Sequence, residues 1–193
     1  MKKETEIRGK FESKKELQMF LRRFDKNHSR VTTRRRLSVI FTDLNHKDID
    51  VQVRILNRRG KLVVKTGKLA NMVRDEITTN FEYTSFLSLI HQLNVLGISN
   101  GVVARASDWI YDLGDIELKV TLCDEKIFVW EIESLRKDVG IMDLTEYANK
   151  FGLEVMSANE LEVYWEWMKR YANKPFCQST IASIYESFIS SSN

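Results

Sequence analysis

The segment Glu4-Thr5-Glu6-Ile7-Arg8-Gly9-Lys10 sets two carboxylates two residues apart and follows them with two basic side chains at the same spacing. Successive side chains of a β-strand point to opposite faces, so Glu4, Glu6, Arg8 and Lys10 share one face. A second doublet, Trp130-Glu131-Ile132-Glu133, repeats the acidic spacing far downstream. If both strands line one cavity, four carboxylates converge with cations beside them. Like charges gathered out of water are costly unless a counter-charge is supplied. A divalent cation or a cationic ligand would supply it.

Beyond the first strand, read as residues 4–12, Ser13-Lys14-Lys15-Glu16 has the form of a capping box. It opens a helix with Leu17, Phe20, Leu21 and Phe24 on one side. Residues 30–43 are β-rich, with Arg34, Arg36 and Ser38 on one parity and Leu37, Val39 and Phe41 on the other. Ile49, Val51, Val53 and Ile55 alternate with Asp50, Gln52 and Arg54, and Asn57-Arg58-Arg59-Gly60 reads as the turn into a strand from Lys61 to Lys65. A fifth strand, Met72 to Thr79, carries Arg74 and Glu76 on one parity. Helix periodicity from Thr84 to Leu96 ends at Gly97. Strands follow at 100–111, 115–123 and 126–134, the second carrying Glu117 and Lys119 between Ile116, Leu118 and Val120. Helices at about 143–151, 158–172 and 178–190 complete the chain.

Hairpin-rich strands interrupted by helices predict an α+β class with a mostly antiparallel sheet. Two geometries satisfy the alternation. One is an open sheet with a solvated charged face. The other is a closed barrel whose lumen holds the charges while helices cover its apolar outside.

The 193 residues suit a single domain (1–193), with the C-terminal helices packed on the strands. Hydrophobic content of 43% and charged content of 30% are those of a folded globular chain. The net charge of +3 is too small to indicate nucleic-acid binding, and the runs Arg22-Arg23, Arg34-Arg35-Arg36 and Arg58-Arg59 lack interleaved aromatics. No leader-like apolar segment or membrane-spanning stretch is legible, which makes a reduced cytoplasmic compartment the expectation and a membrane partner an unexpected one. Cys123 and Cys177 make a weak case for a disulfide, and the scattered His28, His46 and His91 do not suggest zinc. Met19, Phe20, Phe86, Leu87, Leu93, Trp165, Trp167 and Met168 fall at helical spacings and read as packing residues.

The order of these motifs resembles the CYTH superfamily, the triphosphate tunnel metalloenzymes, which include class IV adenylate cyclases, thiamine triphosphatases and inorganic triphosphatases. The resemblance runs from Glu-x-Glu-x-basic through Arg54, Lys65, Arg74-Asp75-Glu76, Arg105 and Glu131-Ile132-Glu133 to Ser183-Ile184-Tyr185-Glu186-Ser187-Phe188. It implies an antiparallel eight-stranded β-barrel with helices outside. It also implies magnesium or manganese held by Glu4, Glu6, Glu131 and Glu133. A small triphosphate or nucleotide would be gripped by Arg8, Arg54, Lys65 and Arg105. Lys10, Arg34, Arg36, Lys61, Arg74 and Lys119 join the substrate-binding set by parity or neighbourhood. Phosphoryl transfer asks mainly for positioning and charge neutralisation, which this inventory matches. The expected activity is a metal-dependent triphosphatase in which Glu4, Glu6, Arg8, Glu131 and Glu133 are catalytic. The alternatives are a class IV adenylate cyclase and a non-catalytic nucleotide or polyphosphate binder. A homodimer is a further expectation by analogy.

Three positions depart from the pattern. Gln52 stands where the first arginine of Arg-x-Arg is usual, and Arg8 stands where lysine is usual. Lys119 lies near the place of a metal-binding aspartate. An arginine does not readily give up a proton, which disfavours Arg8 as a general base.

Overall fold

The computed structural model describes residues 2–44, 47–67, 72–172, 174–175 and 178–191; for residues 2, 165, 167–172, 174–175 and 178 it describes the backbone alone. His46 and Cys177 lie outside the described residues, as do the side chains of Trp165, Trp167 and Met168.

Strand β1 (Lys2–Lys10) is followed by helix α1 (Lys14–Phe24) and strands β2 (Thr32–Phe41), β3 (Ile49–Leu56), β4 (Arg59–Thr66) and β5 (Val73–Glu82). Helix α2 (Phe86–Val95) leads to β6 (Asn100–Asp112), β7 (Ile116–Cys123) and β8 (Ile127–Ser134). Helices α3 (Ile141–Phe151) and α4 (Ala158–Ala172), the two-residue β9 (Lys174–Pro175) and α5 (Gln178–Ser190) follow. The strand order is β2-β3-β4-β5-β1-β8-β7-β6, and β2 also pairs antiparallel with β6 along ten residues, Thr32↔Ile110 to Phe41↔Gly101. That last pairing closes an eight-stranded antiparallel barrel and decides between the two geometries.

The outer faces of the strands form two cores beneath the helices. Ile7, Leu118, Val120, Trp130 and Ile132 pack with Leu17, Phe20, Leu21 and Phe24 of α1 and with Leu144 and Ala148 of α3. Leu37, Val39, Phe41, Val51, Val53 and Ile55 pack with Phe86 and Ile90 of α2 and Ile181 and Phe188 of α5. Each fully buried Ile, Leu or Val contributes about 1.5–3 kcal/mol. A one-residue slip of β1 would turn Ile7 inward and Glu6 outward, so burial of the outer face fixes which side chains enter the lumen.

Local signals explain the element ends. Ser13 Oγ accepts from Glu16 N at 3.2 Å, while the Glu16 carboxylate accepts from Glu12 N rather than Ser13 N, so the predicted capping box is shifted by one residue on its return leg. The β3–β4 turn is built by Asn57 and Arg58, both with positive φ, and not by Gly60. Gly60 is a strand residue, where a Cβ would meet the Phe81 ring at 2.4 Å. Gly9 has a parallel role. A Cβ there would lie 2.3 Å from both Glu154 O and the Trp130 ring, and the space lets the segment after α3 cross β1 and donate Met156 N to Arg8 O at 2.9 Å.

Candidate functional site

Alternation along the closed barrel turns Glu4, Glu6 and Arg8 into the lumen, with Arg34, Arg36 and Ser38 from β2 and Asp50, Gln52 and Arg54 from β3. Lys61 and Lys65 come from β4, Arg74 and Glu76 from β5, Asp108 from β6, Glu117, Lys119 and Thr121 from β7, and Glu131 and Glu133 from β8. The two acidic doublets do not face each other across the channel. They sit side by side, because β1 pairs with β8 in the register Glu6↔Glu133 and Arg8↔Glu131.

Three carboxylates of this wall, Glu4, Glu6 and Glu131, are engaged by cations. Glu4 is paired with Lys65, which also lies 3.3 Å from Glu76 and 3.9 Å from Glu6. Glu6 is paired with Arg8, and Arg74 Nη2 approaches it to 3.9 Å. Glu131 is held on both oxygens, Oε2 by Lys119 Nζ and Oε1 by Arg8 Nε at 3.4 Å. Burial alone would raise the Glu131 pKa, but Lys119 and Arg8 hold it well below the usual carboxylate range. For Arg8 burial opposes the charge, and Glu6 and Glu131 outweigh it, so its pKa is raised. Glu4 moves upward because burial and the neighbouring Glu6 exceed the help from Lys65.

The wall formed by β2, β6 and β7 has one fixed anion. Asp108, fully buried, accepts from Arg36 Nε and Nη2 at 2.9 and 3.0 Å and from Thr121 Oγ1 at 2.9 Å, with Arg34 Nε at 3.6 Å. Burial, the largest single effect, would raise its pKa, but Arg36, Lys119 and Thr121 together leave it below the ordinary aspartate value. Neighbouring Arg54 has no such partner. It donates Nε at 2.8 Å and Nη2 at 2.5 Å to the Gln52 amide oxygen, and Gln52 in turn donates to Asp50 at 2.8 Å. Among the described residues no carboxylate comes within 4.0 Å of Arg54 in an ion pair. Its pKa is lowered by burial and by the adjacent Arg36. Register places Lys61 directly opposite Arg54. Buried Arg74 Nε and Nη1 and Arg34 Nε make no hydrogen bond among the described residues, although Arg74 Nη1 lies 3.6 Å from Asp50 Oδ2 in an ion pair.

Two predicted ligands lie elsewhere. Arg105 falls on the outward parity of β6, opposite Leu37, with its side chain 61% exposed and 3.9 Å from Asp124. The signal was present in β6, where bulky Val103, Trp109 and Tyr111 share its parity and small Ala104 and Ala106 share the other. Lys10 keeps the inward parity but sits at the rim, half-exposed and paired with Glu12 at 2.9 Å. Beside it a cavity of about 360 Å³ is lined by Met156, Asn159, Glu160, Val163 and Tyr164, so α4 stands over this mouth. A cavity of about 570 Å³ between α1 and residues 152–154 lies outside the barrel, away from the charged lumen. Asp108, Asp50 and Glu76 complete the charge network although the motif reading did not single them out as site residues; their alternation with apolar neighbours was the available signal.

The resemblance implies a divalent cation among these carboxylates. Carboxylate oxygens are the right ligands for magnesium or manganese. Here, however, Glu4, Glu6 and Glu131 already hold lysine or arginine nitrogens, and among the described residues no three acidic, histidine or cysteine side chains are grouped to hold a metal. A cation at Glu131 would have to displace an ammonium group from one oxygen or a guanidinium from the other. Three of the four predicted ligands, Glu4, Glu6 and Glu131, are thus taken by basic side chains and do not fit the metal as predicted.

Compared by sequence, the chain matches no family model and no curated protein. Compared by structure, it is similar to PH1012 from Pyrococcus horikoshii OT3, with TM-score 0.65 and 16% identity over 79% of this chain and 94% of that one. A Hippeastrum protein proposed as an adenylyl cyclase and showing a dominant triphosphatase activity matches with TM-score 0.55 and 15% identity, over 80% and 90% of the two chains. A chain of the Schizosaccharomyces pombe Mediator head module matches with TM-score 0.61 and 8% identity, over 80% and 98%. At such identities the likeness is one of fold. No helix among the described residues is long and apolar enough to cross a membrane. With its closed eight-stranded antiparallel barrel, inward charged faces and outer helices, the chain shares its fold with these structures.

Proposed function

We propose that this protein binds a small triphosphate, inorganic or organic, by its phosphates inside the barrel and hydrolyses it. The observation that carries the reading is Arg54, a guanidinium held in the lumen with a neutral amide as its hydrogen-bond partner and with Arg36 and Lys61 beside it. A part-buried guanidinium with no carboxylate in ion-pair range is incompletely compensated, and a phosphate chain supplies the missing charge with charge-assisted, bidentate hydrogen bonds. Nitrogens of Arg74 and Arg34 that make no hydrogen bond, though ion-paired with Asp50 and Asp108, offer further donors to phosphate oxygens. In hydrolysis, water attacks the terminal phosphorus, and the bond to the bridging oxygen breaks with its electron pair leaving on the diphosphate. Arg36, Arg54 and Lys61 stabilise the charge on the phosphoryl oxygens. Glu117, opposite Glu133 on the inward face and with its pKa raised by burial, receives the water proton.

A second reading, binding without turnover, is favoured by the tie between Lys119 and Glu131, which occupies a carboxylate that the family pattern gives to metal. Calorimetric titration with tripolyphosphate combined with assay of phosphate release separates them. Binding with release supports hydrolysis, and binding without release supports the second reading. Absence of heat and of release, with Arg54→Ala behaving as the parent, overturns both.

A further inference from the structure

We infer that Lys119 takes the place of a divalent cation on Glu131, so that the tunnel grips its triphosphate without added metal; this rests on the triphosphate reading above. Lys119 stands directly opposite Glu131 in the β7–β8 register, and its ammonium contacts Glu131 Oε2. Arg8 Nε covers the other oxygen at 3.4 Å. Magnesium asks for oxygen ligands at about 2.0–2.1 Å in a near-octahedral shell. An ammonium already on the carboxylate blocks that approach and repels the ion as well.

The same geometry gives Lys119 the bridging role that a metal would have. An ammonium is a compact point charge with three donors. One is spent on Glu131, and the side chain, 23% exposed, lies near enough to Asp108 to help lower that residue's pKa. Lys119 therefore stands between the acid-rich wall of Glu6, Glu117 and Glu133 and the arginine pair on Asp108. Its remaining donors are available to phosphate oxygens lying along Arg36 and Arg54. A carboxylate–cation–phosphate bridge results, with one positive charge in place of two. The neighbouring doublet is closed in the same way, Glu4 by Lys65 and Glu6 by Arg8.

The test is calorimetric titration of the full chain with tripolyphosphate in EDTA and again in magnesium or manganese, for the parent and for Lys119→Met. The parent is expected to bind with affinities equal within about threefold in the two buffers. Lys119→Met is expected to lose about tenfold in EDTA, the worth of one charged hydrogen bond, and to regain it with metal as Glu131 Oε2 is freed. Electron paramagnetic resonance of manganese alone should show the free ion with the parent and a bound fraction with the variant. Parent binding that requires metal overturns the inference while leaving the triphosphate reading intact. Absence of binding in either buffer overturns that reading, and the inference with it. If circular dichroism shows that Lys119→Met does not fold, the parent's behaviour in EDTA and its manganese spectrum decide the matter.

Discussion

Replacing Asp108 with Asn removes the one fixed anion of the arginine wall while keeping its shape. The carboxylate, itself out of solvent contact, accepts two parallel bonds from Arg36 and one from Thr121, with the near approach of Arg34 Nε. Deleting one partner of a buried ion pair costs about 3–5 kcal/mol, because the remaining charge is stranded. An amide keeps part of the hydrogen bonding, so about 3 kcal/mol is expected. For a chain of this size that lowers Tm by roughly 6–12 °C. The stranded Arg36 is also freed for phosphate. Tripolyphosphate at a hundred times the parental Kd stabilises the parent by about 2.7 kcal/mol, and an affinity gain of about tenfold would raise that to about 4.1 kcal/mol in Asp108→Asn. Thermal melts with and without tripolyphosphate read both effects, and the ligand should narrow the gap between the two proteins. A variant that melts with the parent, or a gap that the ligand leaves unchanged, would refute the account of Asp108 as the internal counter-charge.

Arg54→Ala should weaken tripolyphosphate binding by about tenfold or more in calorimetry, whereas Arg105→Ala, on the exposed outer face, should leave it unchanged; equal losses would mean that the lumen is not the site. The depressed pKa of Glu131 implies stability that is fully present above its ordinary value of 4.5 and is lost as pH falls through the lower folded-state value. Denaturant melts between pH 7 and pH 3 should therefore show a shallower acid decline for Glu131→Gln than for the parent. Gly9→Ala forces a methyl group to 2.3 Å from Glu154 O and the Trp130 ring, and overpacking of this kind costs about 1–3 kcal/mol; an unchanged urea midpoint would show that the crossing over β1 is looser than described.

Much of this architecture was legible from alternation. Ile7, Leu37, Val53, Leu118 and Ile132 sit on the parity that is buried outside, and each strand's charged parity turned inward as a set. Arg105 escaped this logic because its assignment followed a motif rather than the bulk of its own strand. Gln52, conspicuous as a missing arginine, proved to be the amide linking Arg54 to Asp50, a contact that depends on side chains two residues apart on one face.

Period-two patterning by itself determined that each strand has an apolar and a charged face, since that follows from local backbone geometry alone. Only the tertiary structure decided that the charged faces enclose a lumen, because closure rests on the pairing of β2 with β6, far apart in sequence. It likewise decided which cation meets which carboxylate. The register of β1 on β8 and of β7 on β8 puts Arg8 and Lys119 on Glu131, and Coulomb attraction acts on distances that no linear spacing records.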